Sequence, residues 1–429
     1  MEIAQDSSAS AYPPGNPTFV KGYGINLVDD CGTEYMDAVA GTFNHTLGYG
    51  HIKVTEAVCE VLKSGLCHLS SAFAHPEVEG AHADLVAIAP PNLDRCHSKG
   101  STGGSTAIEQ AIRTAWCVTR KTSLMTFRNS HHGQTLATTS VSGMPFRKDR
   151  IRTISLPVVQ VPAPDCYRCP VGKRPETCKL ECVETVEQAL DHPPGGEGDF
   201  AAMIAEPILG AGGGIVPRRD YWSELHARLK KRGVLLVFDE VQTFGRTGHF
   251  FASQFFGVEP DMIALAKGIS GIGVPGAAAV LLPSKFAILN SGERSLTWGS
   301  SVLTAAAIRA TIRIMSSPEF FANVRESSSV LAERLLRLEH KYSCIGTIRG
   351  VGLMSGLEIV RSKESREPDS VLTNKIITCA MNRKLLLRNS LYGRGSFVKI
   401  RPPLIITPNQ IDELCDRLDG AISDAIAMH

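Results

Sequence analysis

The chain has 429 residues, 43% of them hydrophobic, and a formal net charge of +2 with acidic and basic residues mixed throughout. Such a chain can bury a large core, and the lack of a basic face or tract argues against nucleic acid or a membrane surface as a partner. No apolar run is long enough to span a bilayer, and the first seventeen residues lack the basic and apolar regions of a signal peptide. The twelve cysteines, spread over a long chain, point to reduced thiols, so a cytoplasmic protein is expected.

In chain order, the first distinctive element is the Gly-rich turn from Gly100 to Thr106, which runs into a helical stripe of Ile108, Ala111, Ile112 and Ala115. Thr106 with Glu109 three residues on reads as a capping box. Next comes Arg128-Asn129-Ser130-His131-His132-Gly133-Gln134-Thr135, whose adjacent histidines point apart and do not by themselves form a chelate. The Pro-, Gly- and Cys-rich stretch 160–198 is expected to loop out over the surface. Residues 201–205 read as a buried strand ending in Glu206, and residues 220–233 as an amphipathic helix stopped by Gly233. Residues 234–238 and 262–266 read as further buried strands, ending in Asp239 and Lys267. Alternation of strands and helices predicts a parallel sheet, and ligands bind beyond the carboxyl ends of such strands. Glu206, Asp239 and Lys267 are therefore expected on one rim. After about Ala305 long helices and two short strands suggest a smaller α+β domain.

Each constellation has two readings. Glycines before a helix can leave backbone N–H groups free for a phosphate, or simply form a flexible turn. Lys267, between an apolar strand and small residues, can be a poorly solvated amine of lowered pKa, or can extend its head to solvent. Asp239 can accept a bond from a protonated ring nitrogen, or cap a turn. Together, a phosphate cradle, a buried amine and an acid for a pyridinium nitrogen are the fixtures that pyridoxal phosphate needs.

The runs Ile204–Gly210, Phe238–Gly248 and Ala264–Gly268, with 28 residues from Asp239 to Lys267, resemble the signature blocks of the class III pyridoxal-phosphate aminotransferases. Ser101–Glu109, Leu296–Gly299 and Ile400–Leu404 resemble further blocks, so the likeness runs from about Tyr35 to the end. The resemblance implies a fold type I α/β transferase and a homodimer with its active site at the subunit interface. The large domain, with its mostly parallel central sheet, would span 55–304 and carry a Cys-rich insertion at about 162–198. A small domain would be built from residues 1–54 and 305–429. It implies amino transfer between a small-molecule amine or amino-acid donor and a keto or aldehyde acceptor by a ping-pong cycle. Lys267 would form the Schiff base (internal aldimine) and shuttle the proton, and Asp239 would keep the ring nitrogen protonated. Gln242 would bond the phenolic oxygen, and Gly103, Gly104 and Ser105 would hold the phosphate. Glu206 would belong to the cofactor site, and Thr297 would reach the phosphate of the neighbouring subunit. His131 stands where the family usually places an aromatic ring stacked on the cofactor, and His132 is then a structural hydrogen-bonder.

The chain departs from the family pattern at several points. Thr106 stands where Glu is usual, and the aspartate block is one glycine short before Phe244. Lys399 replaces a carboxylate-binding arginine and Ala211 a gate glutamate, with Arg401 beside the prolines. Lysine cannot reproduce the two-pronged grip of arginine, so Lys399 either binds an anion as a point charge or faces solvent from an edge strand. Lys399 and Arg401 are the candidate substrate residues. Cys166, Cys169, Cys178 and Cys182 have a spacing that suits a small zinc loop, yet the segment is expected to be a packed lid without metal. Alternatives are a decarboxylase, phospho-lyase or amino-acid racemase of the same family, or a non-catalytic cofactor-fold binding protein.

Overall fold

The computed structural model describes residues 16–98, 101–148, 156–290, 292–293, 295–299, 301–390 and 395–429. The strands are β1 (Phe19–Tyr23), β2 (Asn26–Asp29), β3 (Glu34–Asp37), β4 (Arg95–His97), β5 (Ser123–Phe127), β6 (Val158–Val161), β7 (Phe200–Ala205) and β8 (Leu235–Asp239). They continue with β9 (Met262–Leu265), β10 (Ala279–Leu282), β11 (Ile345–Val351), β12 (Met354–Ile359), β13 (Leu385–Leu386), β14 (Arg388–Asn389) and β15 (Phe397–Ile400).

The central sheet has the order β4-β10-β9-β8-β7-β5-β6. Strands β6, β5, β7, β8 and β9 run parallel, and β10 runs antiparallel to both its neighbours. Every residue of β5, β7 and β9 is buried, as expected for strands covered on both faces. The helix Gly104–Thr119 lays Ala107, Ile108, Ala111 and Ile112 on one face, against Leu124, Ile204 and Val237. The helix Tyr221–Lys231 covers the other face with Trp222, Leu225 and Leu229. Trp222 stacks edge-on to Phe238 at 4.7 Å, and its Nε1 donates to Pro207 O at 3.1 Å, so burial leaves its one polar group satisfied.

The stretch 160–198 is more ordered than its composition predicted. It holds a helix, Glu181–Ala189, whose Val183 and Val186 are buried in the core. Leu180 enters this helix with left-handed backbone at φ 65°. The boundary expected at residue 304 falls inside another helix, Val302–Met315, which packs on Ile52–Ser64 and Pro76–Ile88. A break there would tear one hydrogen-bonded cylinder.

Of two smaller sheets, the first joins the ends of the chain and the second is built from the carboxyl-terminal part alone. The first has the order β1-β2-β3-β13, with β13 parallel to β3, and the second the order β11-β12-β15-β14. The turn 38–47 is tied to three distant places: Arg401 N donates to Ala38 O at 2.7 Å, Leu404 N to Thr46 O at 2.8 Å and Leu47 N to Gly271 O at 2.8 Å. Among the described residues, no helix is long and apolar enough to cross a membrane.

Replacing Trp222 by Ala removes a fully buried side chain at the junction of sheet and helix. A loss of about 3–5 kcal/mol in unfolding free energy is expected, measured as a lowered urea midpoint.

Candidate active site

The carboxyl ends of the parallel strands converge on a cavity of about 220 Å³ lined by Gly104, Ser105, His131, Gly133, Asp239, Gln242 and Lys267, among others. Asp239 closes β8, Lys267 follows β9 by two residues, and the histidine turn follows β5. Glu206, the residue after β7, is buried under this floor.

One end of the cavity is a cradle for an anion. Gly103 is the N-cap of the helix Gly104–Thr119, so the first-turn N–H groups of Gly104 and Ser105 have no carbonyl one turn back to bond. Thr106 therefore lies in the first turn rather than at the cap. Its Oγ1 accepts from Thr102 N at 2.8 Å and donates to Gly103 O at 3.0 Å, fixing the turn. Glu109 leaves the helix start altogether and accepts from Thr135 Oγ1. The capping box read from the sequence does not form, because the glycine that opens the helix comes three residues earlier. Ser105 Oγ accepts from Gln134 N at 3.1 Å. Gly133 has φ 136°, and a methyl group there would collide with Ser105 Oγ and Thr138 Oγ1. Glycine is required at this position to bring the two walls of the cradle together.

Across the cavity Asp239 is 4% exposed and doubly held. Its Oδ2 meets His132 Nδ1 at 2.8 Å, and its Oδ1 accepts from Val241 N at 3.1 Å. His132 is itself fixed: its Nε2 meets Thr126 Oγ1 at 3.1 Å, and its backbone N donates to Ser142 Oγ at 2.9 Å. The histidine expected to be merely structural thus grips the acid. His131 and His132 both line the cavity, and the backbone N of His131 donates to Glu206 Oε1 at 2.8 Å. Glu206 Oε2 accepts from Gly210 N at 2.8 Å, and burial raises its pKa.

Lys267 sits in left-handed backbone at φ 51°, a conformation that costs a non-glycine residue about 1–2 kcal/mol and is common at functional sites. Burial lowers its pKa, against the opposing pull of Asp239 and Glu206. A methyl group on the next residue, Gly268, would strike Thr46 Oγ1, so the turn 38–47 lies directly on the lysine turn.

Behind Gln242 stands Arg401, fully buried. Its Nη1 donates to Gln242 Oε1 at 2.9 Å and its Nη2 to Gly210 O at 2.9 Å. With the amide oxygen engaged, Gln242 is left to present its amide N–H to the cavity. The guanidinium expected to meet substrate is thus committed to Gln242 and the Gly210 carbonyl. Lys399 does not face solvent: β15 lies between β12 and β14, and Lys399 is 6% exposed with its Nζ 5.8 Å from the Phe43 ring centre. Burial, then Arg401 and Arg388, bring its pKa down to about 7. Thr297 lies on an exposed segment and does not line this cavity. Among the described residues, three metal-ligand atoms within 4.8 Å of one another occur only at Asp29, Asp30 and Cys31, so the four loop cysteines do not form such a set.

The cavity fits pyridoxal phosphate in three independent ways: free N–H groups and Ser105 for a phosphate, a buried acid for a ring nitrogen, and an enclosed amine. The family model for class III aminotransferases matches residues 9–422. The chain belongs to the class III aminotransferases. It is a pyridoxal-phosphate-dependent enzyme of fold type I. It is 33% identical to an alanine/serine racemase of Pyrococcus horikoshii, over 95% of this chain and 85% of that one. It is 32% identical to an adenosylmethionine-8-amino-7-oxononanoate aminotransferase of Nitratidesulfovibrio vulgaris, over 93% of this chain and 76% of that one. The solved structure of an amine transaminase from an uncultivated Pseudomonas species, in its PLP-bound form, superposes with a TM-score of 0.88 at 28% identity, covering 98% of each chain.

His132, expected as a structural hydrogen-bonder, holds Asp239, and Arg401, expected at the substrate, holds Gln242. His132→Phe removes the bond to Asp239 and strands a buried carboxylate. Cofactor affinity is expected to fall about tenfold or more, read by titrating the cofactor's absorbance.

Proposed function

We propose that this aminotransferase works through Lys267, which attaches the cofactor and carries the proton, with Asp239 and Gln242 setting the cofactor's charge. The enclosed Lys267 amine facing the Asp239–His132 pair is the observation that carries this reading. Bound pyridoxal phosphate supplies an electrophilic carbon and a ring that accepts the electron pair released at the substrate. Gly104 and Ser105 bind the phosphate through first-turn N–H groups and a hydroxyl, with Gly103 shaping the turn. Asp239 holds a proton at the ring nitrogen, and His132 keeps its carboxylate aimed there. Gln242, oriented by Arg401, donates to the phenolic oxygen. His131 would offer its ring to the cofactor, and Glu206 fixes the backbone of that histidine.

The lowered pKa of Lys267 keeps a share of its amine neutral, able to attack a carbonyl and to take a proton from the substrate carbon. Lys267→Ala is expected to abolish borohydride-trapped attachment of cofactor and to slow amino transfer by about a thousandfold. Full turnover by that variant would refute the assignment.

Lys399 is assigned to the substrate's carboxylate as a point charge, supported by its enclosure beside Phe43 and by the nearby positive charges of Arg401 and Arg388. Because its pKa is about 7, the ammonium is present below that pH and lost above it, unless a bound anion holds the proton. KM for amino-acid donors should therefore rise as pH passes 7, and Lys399→Met should remove that dependence while raising KM at low pH.

The racemase relative makes return of the α-proton to the opposite face the second reading. Among the described residues lining the cavity Lys267 is the one amine, and the His132 imidazole is engaged by Asp239, which favours proton transfer at a single face, as amino transfer requires, over return to the opposite face. Formation of keto product separates the two readings.

A second copy of the chain suits the exposed apolar surface around Thr297. Trp298 is 68% exposed and Phe73 69%, and Trp298 packs on His68 with ring centres 5.2 Å apart. A reducing, cytoplasmic setting suits the twelve free cysteines.

A further inference from the structure

A second cavity, of about 290 Å³, lies behind the histidine turn. Its walls come from the end of β5, the Cys-rich insertion and the carboxyl-terminal sheet, and they carry Arg128, Asn129, Asp165, Arg168, Arg349 and Glu358. Three guanidinium groups thus share one enclosure with two carboxylates.

The two acids are fully engaged. Glu358 is 3% exposed and takes Arg168 Nη1 at 2.8 Å, Arg349 Nε at 3.3 Å and the Ser396 hydroxyl at 2.8 Å. Asp165 takes Arg349 Nη1 at 3.1 Å and the backbone N–H groups of Tyr167 and Arg168 at 3.0 and 3.2 Å. Neither is left to repel an incoming anion. Arg349 and Arg168 are held rigidly by these pairs and by stacking on Tyr167, with guanidinium carbons 5.3 and 4.9 Å from its ring centre. The buried Arg168 Nε has no hydrogen-bond acceptor, an orphaned donor at this wall. Arg128 forms no ion pair among the described residues and stands exposed at the rim, so the cavity keeps one uncompensated positive charge.

The position of this cavity gives the charge a use. Asn129 lines it and His131, two residues on, lines the cofactor cavity, a separation that extended chain spans in about 7 Å. Gly212, also in the wall, follows Ala211, which stands in place of the gate glutamate.

We propose that this arginine-lined cavity binds a second anionic group, a carboxylate or phosphate, at the far end of the reacting amino compound. The inference rests on the amino-transfer reading and narrows its substrates to amines with an anionic tail. The tail would meet Arg128 at the rim, while the amino end reaches Lys267.

The test uses the holoenzyme and pairs of primary amines that share a reacting end and differ only in a terminal carboxylate or its carboxamide. In Arg128→Gln, KM for the carboxylate-ended donor should rise about tenfold while that for the carboxamide stays within about twofold. Arg128→Glu should raise the first value further. Inorganic phosphate should inhibit competitively against the carboxylate-ended donor. Equal changes for both donors, no change for either, or non-competitive inhibition by phosphate would overturn the proposal. Should the enzyme accept none of the amines, the failure lies with amino transfer. Phosphate binding by calorimetry would then decide the cavity: loss in Arg128→Gln supports the anion site, and its persistence or its absence from the natural protein refutes it.

Discussion

A carboxylate buried under a sheet is tolerable only if its charge is met, and here the hydrogen bond between His132 Nδ1 and Asp239 Oδ2, at 2.8 Å, meets it. Much of the site follows from that requirement. His132 must be held in turn, so Thr126 and Ser142 bracket it from β5 and from the turn after the helix Leu136–Val141. Fixing His132 also sets the backbone of its neighbour His131, which lines the same cavity. Gly133 can then fold back on Ser105, which closes the anion cradle. One polar contact, 107 residues apart in sequence, organises two ends of one ligand.

The other buried charges obey the same rule with different partners. Arg401 is satisfied by an amide and a carbonyl rather than by an acid, and it stays cationic although burial lowers its pKa to about 10. Glu206 is held by two backbone N–H groups instead of a base. Neutral partners leave Arg401 charged near Lys267, where it adds to the burial that lowers the lysine's pKa against the pull of Asp239 and Glu206.

Much of the fold and the chemistry could be read directly from the chain. The strands ending in Glu206, Asp239 and Lys267 announce themselves because parallel strands are continuous apolar runs, and a charge at their end has few uses besides a ligand. Contacts across long separations were not readable. Nothing local marks His132 as the partner of Asp239, or Arg401 as the partner of Gln242. The burial of Lys399 depends on β14, a strand of two residues, too short to carry a period. The helix Glu181–Ala189 was hidden by its flanks, where proline, glycine and cysteine outweigh the short apolar spacing of Val183 and Val186. At Thr106 the local pattern was sound and still lost, because Gly103 starts the helix earlier.

The stitching of the turn 38–47 has a consequence for the birth of the protein. This turn lies on the lysine turn at Gly268 and takes its anchors from Arg401 and Leu404, near the other end of the chain. On the ribosome the central sheet can assemble as soon as β10 has emerged and Leu47 can bond Gly271, but the ties at Ala38 and Thr46 wait for Arg401 and Leu404. The nascent enzyme therefore passes through a stage in which its amine is made and its cover is not. Contacts of such high sequence separation form late and slowly. Completion of the chain, rather than folding of the sheet, sets the moment at which the site becomes closed to water.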